Sequence, residues 1–377
     1  MKYYIISGEA SGDLHGSNLM KAIIRQDPEA EIRFWGGDLM QSVGGTMVKH
    51  IKDLAIMGFV EVVAHLRTVL NNLKFCKQDI LNYNPDAVIF IDYPGFNLKI
   101  AKFTHSHGFK NFYYISPQVW AWKKNRIKTM RKVLDKMYVI LPFEKPFYDK
   151  HNVENVEYVG HPLLDAVADF NTTNNSDNFR KQHNLDDRPI IALMPGSRKM
   201  ELRKMMPAMA DLASRHPEYN FVIAGMTLLG DSFYKPFLTS KNVTLVYNQT
   251  YLLLQSAFAG VITSGTATLE AALFHLPEVV CYRANAFTVA IAKRFAKVKY
   301  ISLVNLIADK PVVRELIQKD LNKNTLETEF SKITKDKNNR MTMIAEFENI
   351  EKRLGSQGVS ERTAISILKT LRRDKKQ

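Results

Sequence analysis

Short apolar runs that end in a glycine or proline turn and lead into a helical pattern recur along this chain. In the first half they read KYYIIS, IRFWGG, DAVIFIDYPGF, NFYYIS and KMYVILP, and in the second half IIALMPGSRK, YNFVIAG, VTLVYN, FAGVITSG and EVVCYRA. Strands that alternate with helices are typical of βαβ units, which build parallel sheets. The sequence therefore predicts an α/β protein with two successive doubly wound, Rossmann-like domains.

A polar segment separates the two series. Residues 171–188 are rich in Asn and Asp and are followed by a proline, a composition that suits an interdomain linker. We therefore predict an N-terminal domain over 1–170 and a C-terminal domain over 189–345. The length of 377 residues fits two domains with substantial cores. Residues 346–377 are predicted to be helical, with a basic end.

Composition narrows the choice of partner and compartment. The formal net charge of +14 indicates an anionic partner, such as a phosphorylated substrate, a lipid surface or nucleic acid, unless the protein is simply basic. We find no zinc finger, aromatic RNA-binding run or basic zipper, so nucleic acid is the weakest of these. Two distant cysteines indicate a reducing compartment. With no apolar run near the ~20 residues that span a bilayer and no signal-like N-terminus, we expect a cytoplasmic protein, soluble or at a membrane surface.

The loop after FAGVIT combines glycine and hydroxyl side chains at the start of a predicted helix. Unpaired N–H groups and a partial positive charge make a helix N-terminus suited to phosphate. The alternative is simple helix capping by Ser264 or Thr266, but neither has the Glu or Gln three residues later that a capping box requires. Glu270 is then available to a pair of ligand hydroxyls, such as those of a ribose. The candidate binding residues are Ser264, Gly265, Thr266, Ala267, Thr268 and Glu270.

A second anion-binding candidate is the loop LMPGSRKMEL. Ser197 and Arg198 follow an apolar strand, where an arginine can hold a diphosphate through charge-assisted hydrogen bonds. The alternative is an ordinary surface arginine beside Lys199 and Arg203. Two such loops in one predicted domain strengthen the binding interpretation of both.

Asp92, in DYPGFN, ends an apolar strand immediately before a proline. A carboxylate at the carboxyl end of a strand is a candidate general base. The alternative is a turn aspartate that bonds its own backbone. In the same loop, Asn97 is a candidate for the acceptor side of the active site, which we expect in the cleft between the two domains.

The loop SGEASGDLHG supplies further acceptor candidates, Glu9, Ser11 and Gly12, together with Asp13 and His15. Ser11 and Asp13 could instead cap the first helix. The glycine spacing matches neither a dinucleotide fingerprint nor a phosphate-binding P-loop. Without an H-E-x-x-H, cysteine-pair or D-x-D pattern, the sequence predicts no metal site and no cofactor.

Two segments could lie on a membrane. Residues 56–77 combine apolar residues at helical spacing with basic ones, and residues 120–132 (WAWKKNRIKTMRK) join two tryptophans to a dense basic run. Such segments can lie in the interface of an anionic bilayer. The alternative is an amphipathic helix whose apolar face packs on the core.

Taken together, these loops resemble the lipid-A-disaccharide synthase family, glycosyltransferases of the two-domain GT-B architecture. The resemblance rests on GEASGDLHG, MGFVEV, DYPGFN, YYISPQVWAWKKNRI, LPFEKPFYDK, YVGHPLLD, MPGSR, SGTATLE and YISLVNLI, which follow in this order from residue 7 to about 307. Gly95 stands where the family pattern often has an acid. That difference argues against a second carboxylate in this loop and leaves Asp92 unaffected.

The resemblance implies a reaction and roles for the candidates. UDP-2,3-diacylglucosamine would donate its sugar to the 6-hydroxyl of 2,3-diacylglucosamine 1-phosphate (lipid X), with inversion at the anomeric carbon. Asp92 would act as the base, while Arg198 and the 264–268 loop would bind the UDP diphosphate in place of a metal. Glu270 would bind the ribose, and Asn305, in SLVNLI, would lie near the donor.

The resemblance also implies the setting. Acylated substrates would bring the enzyme to the cytoplasmic face of the inner membrane as a peripheral protein. The C-terminal segment would pack back on the first domain or on a partner subunit, giving a homodimer. Two other functions remain open on the residues alone: another GT-B enzyme, such as a UDP-N-acetylglucosamine 2-epimerase, and a non-catalytic lipid-binding protein.

Overall fold

The computed structural model describes residues 1–54, 66–121, 124–173, 178–283 and 299–374. The chain forms two compact units. The first consists of Met1–Ala166 together with Leu354–Gln377, and the second is Val167–Arg353. Each unit contains a parallel sheet with helices between its strands, so the prediction of two doubly wound α/β domains is confirmed.

The sheet of the first unit has seven parallel strands in the order β3-β2-β1-β4-β5-β6-β7. Its strands are β1 (Lys2–Ile6), β2 (Glu31–Gly36), β3 (Thr46–His50), β4 (Ala87–Ile91), β5 (Lys110–Tyr114), β6 (Lys136–Val139) and β7 (Val156–Tyr158). Alternate side chains enter opposite cores, because successive residues of a strand point to opposite faces. Tyr4 and Ile6 of β1 join one core cluster, whereas Tyr3 and Ile5 join the other. Burial on both faces explains the continuous apolar runs.

The described helices that come before the chain crosses from the first unit to the second are α1 (Ala10–Gln26), α2 (Asp38–Val43), α3 (Leu66–Tyr83), α4 (Pro94–Ser106), α5 (Arg126–Val133) and α6 (Glu144–Asp149). Helix α7 (Leu163–Thr173) carries the chain out of this unit. The crossing therefore falls inside a helix, at Ala166, and not in the polar segment that follows it. Within the segment expected to be a linker, residues 174–177 lie outside the described part.

The sheet of the second unit has six parallel strands in the order β10-β9-β8-β11-β12-β13. They are β8 (Ile190–Met194), β9 (Asn220–Gly225), β10 (Val243–Tyr247), β11 (Ala259–Thr263), β12 (Glu278–Tyr282) and β13 (Arg314–Ile317). The described helices are α8 (Phe179–Gln182), α9 (Lys199–Arg215), α10 (Gly230–Tyr234), α11 (Thr250–Ser256), α12 (Thr266–Leu273), α13 (Leu303–Ala308), α14 (Lys323–Thr334) and α15 (Lys337–Arg353).

The last helix, α16 (Val359–Asp374), belongs to the first unit although α15 belongs to the second. The carboxylate of Asp165 accepts the N–H groups of Gly358, Val359 and Ser360 at 2.6, 3.1 and 2.9 Å. These bonds satisfy donors that the helix start would leave unpaired. The apolar face of α16 then completes one core of the first sheet. The return to the first unit falls at Leu354, later than the expected position 346.

Among the described helices, none combines the length and apolarity that crossing a bilayer requires.

Candidate active site

The two anion-binding loops predicted in the second unit meet at one edge of its sheet. They follow β8 and β11, which are neighbours with Met194 paired to Ile262. A Cβ atom at Gly196 would lie 3.5 Å from Cγ2 of Thr263, so the loops are in van der Waals contact range. Gly196 also has a φ of +105°, which favours glycine. The carboxyl edge of this sheet therefore brings together the residues that the sequence suggested separately.

The start of α12 is open at this edge. Gly265 is the N-cap residue, and within the described part of the chain no side chain caps this helix. Gly265 and Thr266 are exposed, so an anion can approach the N–H groups of the first turn.

The hydroxyl groups of this loop bond mainly within the protein. Ser264 donates its hydroxyl to the carbonyl of Ile301 at 2.8 Å, and Thr268 donates to the carbonyl of Gly265 at 2.9 Å. Thr268 is fully buried. These side chains therefore shape the loop, and the backbone amides from Gly265 to Ala267 are its better-placed anion donors.

Arg198 lies at the N-cap of α9, and its side chain is 54% exposed. Its guanidinium is 3.5 Å from a carboxylate oxygen of Glu201 in the next turn. Burial raises the pKa of Tyr282, at the end of β12, and the charges of Glu201 and Arg198 both act on that phenol. Arg198 thus lies near the end of β12, and its guanidinium remains accessible although it pairs with Glu201. Ser197 beside it is exposed.

Glu270 has a partner that the sequence did not reveal. The hydroxyl of Tyr251, on α11, donates to Oε1 of Glu270 at 3.2 Å. Burial raises the pKa of Glu270, and this hydrogen bond opposes the shift. No fixed sequence spacing joins the two residues, because β11 lies between their helices.

Asn305 is hydrogen-bonded inside the second unit. It is 1% exposed, and its amide oxygen accepts the N–H groups of Val312 and Val313 at 2.8 and 2.9 Å. Its amide nitrogen donates to the carbonyl of Val313 and to Glu315, at 2.9 and 3.0 Å. An asparagine side chain has two donors and two acceptor positions, and all four are used inside the unit. Asn305 therefore supports the segment around Val312 and Val313, and its position near the donor stays a prediction.

In the first unit, Asp92 follows β4 in an unusual backbone conformation. Asp92 and Tyr93 have φ values of 43° and 49°, a region that costs a non-glycine residue energy. The carbonyl of Asp92 accepts the Tyr113 hydroxyl at 2.6 Å and the Asn97 amide at 2.7 Å. These two hydrogen bonds hold the backbone of the strained turn at Asp92, whose side chain is half-buried.

The candidate acceptor loop lies against this turn. A Cβ atom at Gly8 would lie 2.4 Å from the ring of Tyr93, so the two chain segments touch through a glycine. Glu9, half-buried, acts electrostatically on the Tyr93 phenol, whose pKa is raised by burial. Ser11 is exposed at the start of α1, whereas Gly12 is buried against Ser7.

Three other candidates from these loops are buried. Asn97 is fully buried, and besides the Asp92 carbonyl it lies 3.4 Å from the carbonyl of Ile6 on β1. Asp13 is 5% exposed and accepts three N–H groups around the start of α2, at 2.7 to 3.0 Å. His15 is 4% exposed. The sequence had left open whether Asp13 caps the first helix. In the structure, its carboxylate supports the start of α2 instead.

A buried carboxyl that the sequence did not single out holds the loop after β5. Glu144, 1% exposed, accepts the N–H groups of Ile140 and Leu141 at 3.0 and 2.9 Å and the Trp120 indole N–H at 3.2 Å. Burial raises its pKa to about 7. The spacing of residues in PFEKPF does not indicate this contact, which depends on the adjacency of β5 and β6.

Part of the two predicted membrane segments can be described. Residues 56–65 and 122–123 lie outside the described residues. On α3, Leu73, Cys76 and Ile80 face the core, while Leu70 and Phe75 are 53% and 48% exposed. On α5, three apolar residues are buried and Lys128, Arg131 and Lys132 are exposed. On each helix, one face packs on the core and another presents apolar or basic side chains, so the membrane interpretation stays a prediction.

Two successive units, each built on a doubly wound parallel sheet, are the architecture of the GT-B fold. Solved structures of low sequence identity share this fold. UDP-GlcNAc 2-epimerase from Neisseria meningitidis aligns with a TM-score of 0.71 over 98% of this chain and 100% of that one, at 14% identity. The glycotransferase of kitacinnamycin aligns with a TM-score of 0.66 over 98% and 99%, at 12% identity.

Sequence comparison identifies the family within this class. The family model described as lipid-A-disaccharide synthetase matches residues 3–366. Lipid-A-disaccharide synthases from Geobacter sulfurreducens and Syntrophus aciditrophicus are 36% and 37% identical, over 97% and 98% of this chain and 96% and 97% of theirs. The protein from Coxiella burnetii is 34% identical over 96% of both chains. The chain belongs to the lipid-A-disaccharide synthase family and is a glycosyltransferase of lipid A biosynthesis.

Proposed function

We propose that this enzyme transfers the sugar of UDP-2,3-diacylglucosamine to the 6-hydroxyl of 2,3-diacylglucosamine 1-phosphate. The acceptor oxygen forms a bond to the anomeric carbon as the bond from that carbon to the UDP oxygen breaks. The leaving UDP takes the electron pair, and the hydroxyl proton passes to the carboxylate of Asp92. One displacement inverts the anomeric configuration and gives the β-1,6-linked disaccharide 1-phosphate and UDP.

The observation that carries the donor side is the contact of the loops at Gly196 and Thr263 beside the uncapped start of α12. We assign the diphosphate to Arg198, Ser197 and the backbone from Ser264 to Thr268. A fixed cation and oriented N–H groups stabilise charge that develops on a leaving group. Glu270, held by Tyr251, would accept hydrogen bonds from the ribose hydroxyls.

On the acceptor side, we assign the base to Asp92 and the surrounding contacts to Glu9, Ser11 and Gly12. The support for Asp92 is its position after β4 in a turn held by two side-chain hydrogen bonds to its carbonyl. A general base has to be held within hydrogen-bonding reach of one hydroxyl, and a fixed turn meets that need.

The test is direct. The purified chain, incubated with UDP-2,3-diacylglucosamine and 2,3-diacylglucosamine 1-phosphate, should form the disaccharide 1-phosphate, detected by mass spectrometry, with one UDP released per product. Reactions that lack the acceptor should release no UDP. UDP-N-acetylglucosamine alone serves as a control for epimerase activity. Epimerised sugar without disaccharide would contradict the proposal, and so would tight lipid binding without any reaction.

We further propose that the enzyme works as a peripheral protein on the cytoplasmic face of the inner membrane. The support is the net charge of +14 and the exposed apolar and basic side chains of α3 and α5. The chain should co-sediment with anionic vesicles at low salt, and Phe75→Ser should weaken this binding. Leu228→Ser, which changes an exposed apolar residue of the second unit, is the matched control. Equal sedimentation with neutral vesicles would contradict the electrostatic part.

We also propose a homodimer, in which the C-terminal segment around α16 contributes to the subunit contact. Its exposed Ile365, 47% accessible on a helix whose other face is buried, supports a further contact there. Light scattering of the full chain measures this, and a monomer at assay concentrations would remove the dimer from the proposal.

A further inference from the structure

Glu315, on the edge strand β13, gathers donors from the segment that precedes α13. Its Oε1 accepts the backbone N–H groups of Ile301 and Ser302 at 3.1 and 2.9 Å and the Ser302 hydroxyl at 2.9 Å. The same oxygen accepts the Asn305 amide at 3.0 Å, and Oε2 accepts the Ile301 N–H at 3.0 Å. A carboxylate has only acceptor positions, so a cluster of donors is its natural environment. One side chain thus holds four donor groups.

This segment in turn holds the loop that begins α12. Glu315 accepts the N–H of Ile301. The carbonyl of the same residue accepts the hydroxyl of Ser264 at 2.8 Å. Ser302 is fully buried and caps α13 by accepting the Asn305 N–H at 3.3 Å. The chain of contacts therefore runs from Glu315 through Ile301 to Ser264, which directly precedes the N-cap Gly265.

We propose that Glu315 is a positioning residue for the donor site, which fixes the Ser264–Thr266 turn through Ile301 and so sets the affinity for the UDP diphosphate. The inference rests on the proposed function, because it takes this turn to be the diphosphate site. Oriented N–H groups lose their benefit when the loop that carries them can move. Glu315 acts through other residues and is not assigned a contact with substrate.

The geometry distinguishes two substitutions. In Glu315→Gln, the remaining carbonyl oxygen can keep the contacts of Oε1, but the new amide group faces the Ile301 N–H and two donors then meet. In Glu315→Ala, all five contacts are lost. We expect the dissociation constant of UDP to rise several-fold in the first variant and roughly ten-fold or more in the second.

The matched control is Glu329→Gln. Glu329 is another acid of this unit, 16% exposed, and it pairs with Lys332 at 2.9 Å. This pair lies within α14 and not in the segment around Ile301. We expect it to leave UDP affinity within about two-fold of the wild type.

The experiment combines calorimetric titration of UDP into the full chain with steady-state kinetics and thermal unfolding. The KM for the UDP-sugar should rise in Glu315→Gln while the KM for the lipid acceptor stays unchanged, a split that a general loss of folded protein would not give. Ser264→Ala removes the hydroxyl at the other end of the chain of contacts. Because both substitutions break the same chain of contacts, the double variant should have about the same UDP dissociation constant as the single variant with the lower affinity.

Two results would overturn the inference: UDP affinity in Glu315→Gln within about two-fold of the wild type, or fully multiplicative effects of Glu315→Gln and Ser264→Ala. If Glu315→Ala fails to fold, Glu315→Gln, which keeps the size of the side chain, gives the result. A wild-type chain that does not bind UDP refutes the proposed function itself, so the two failures are told apart.

Discussion

The carboxyl edges of the two sheets are built in opposite ways. In the first unit, the chain after β4 is fixed: Asp92 and Tyr93 have positive φ, and two side chains bind the Asp92 carbonyl. In the second unit, the chain after β11 is open. Among the described residues, and apart from the adjoining backbone, no heavy atom lies within 4 Å of the position that a Cβ would take at Gly265. A strained, supported turn suits one group with a chemical task, whereas an exposed helix start suits a ligand.

The same contrast appears among the buried histidines. His15 and His161 of the first unit are 4% and 2% exposed, and burial lowers their pKa values to about 4 and about 3. Asp165 partly opposes the shift at His15. In the second unit, the buried His216 lies between two carboxylates, 2.9 Å from Glu218 and 2.8 Å from Glu327. The first unit thus keeps the imidazoles of His15 and His161 buried and neutral. In the second unit, the buried imidazole of His216 is paired with two carboxylates.

The comparison predicts its largest effect at Asp92. Asp92→Asn should lower kcat by roughly 10²- to 10⁴-fold, the usual contribution of a general base, and leave UDP affinity unchanged. Steady-state kinetics and UDP titration measure the two quantities. Asp149→Asn, which alters a 50% exposed acid of the same unit, is the control and should remain active. Near-normal turnover in Asp92→Asn would mean that the fixed turn has no role in proton transfer.

The next effect is the response of the first unit to acid. The folded-state pKa values of His15 and His161 lie below the unfolded value near 6.5. Their contribution to stability is therefore present above pH 6.5 and is lost as the pH falls toward 3. Between pH 7 and pH 5 each histidine should cost about 2 kcal/mol of unfolding free energy.

Tryptophan fluorescence can follow this unit alone, because all three tryptophans, at positions 35, 120 and 122, precede the second unit. Denaturant unfolding at the two pH values should show the loss in the wild type and a smaller one in His161→Asn. Asn can replace the Nδ1 atom that accepts the Leu163 N–H at 3.2 Å. His216→Asn should leave the fluorescence transition unchanged. Equal acid sensitivity of His161→Asn and the wild type would remove this difference between the units.

A smaller effect is expected at the open edge. Arg198→Ala should weaken UDP binding by roughly 10- to 100-fold, since it removes a charge-assisted hydrogen-bond donor to the diphosphate. The KM for the lipid acceptor should be unchanged. Arg203→Ala, an exposed arginine on the same helix, controls for the loss of charge. If both variants lowered UDP affinity equally, net charge and not the position of Arg198 would set the binding.

The smallest effect should come from Tyr113→Phe. This substitution removes one of the two side-chain donors to the Asp92 carbonyl, at a cost of about 1 kcal/mol, and the Asn97 amide remains. We expect kcat to fall several-fold with UDP affinity unchanged. Tyr138→Phe, a buried tyrosine in the opposite core cluster, should leave kcat at the wild-type level. A larger fall for Tyr138→Phe would show that the Asp92 turn is not specifically supported by Tyr113.

The strands show how far the sequence pattern reaches. All strands with long apolar runs were predicted, but β3, β7 and β13 were not. These three lie at the edges of the two sheets, and β7 has only three residues. These three strands are partly exposed, as in the RELI sequence of β13, and so lack the continuous apolar signal of a strand buried on both faces.

The site shows the same division. The loops around Asp92, Arg198 and Gly265 could be found from the sequence, because each follows an apolar strand directly. Glu144, Glu315 and Tyr251 could not, since their contacts join segments whose proximity depends on the order of strands in a sheet. Asn305 was found from the sequence, but the four hydrogen bonds that hold its side chain inside the unit are visible only in the structure.

By itself, the sequence determined the two-domain α/β class and the loops at the strand ends. Burial on both faces of a parallel sheet leaves a local apolar pattern that one can read along the chain. The motifs in those loops indicated the family. The tertiary structure alone decided which side chains support those loops and where the last helix packs. Hydrogen bonds such as those that the Asp165 carboxylate accepts from the start of α16 join residues almost 200 positions apart, and no local pattern encodes them.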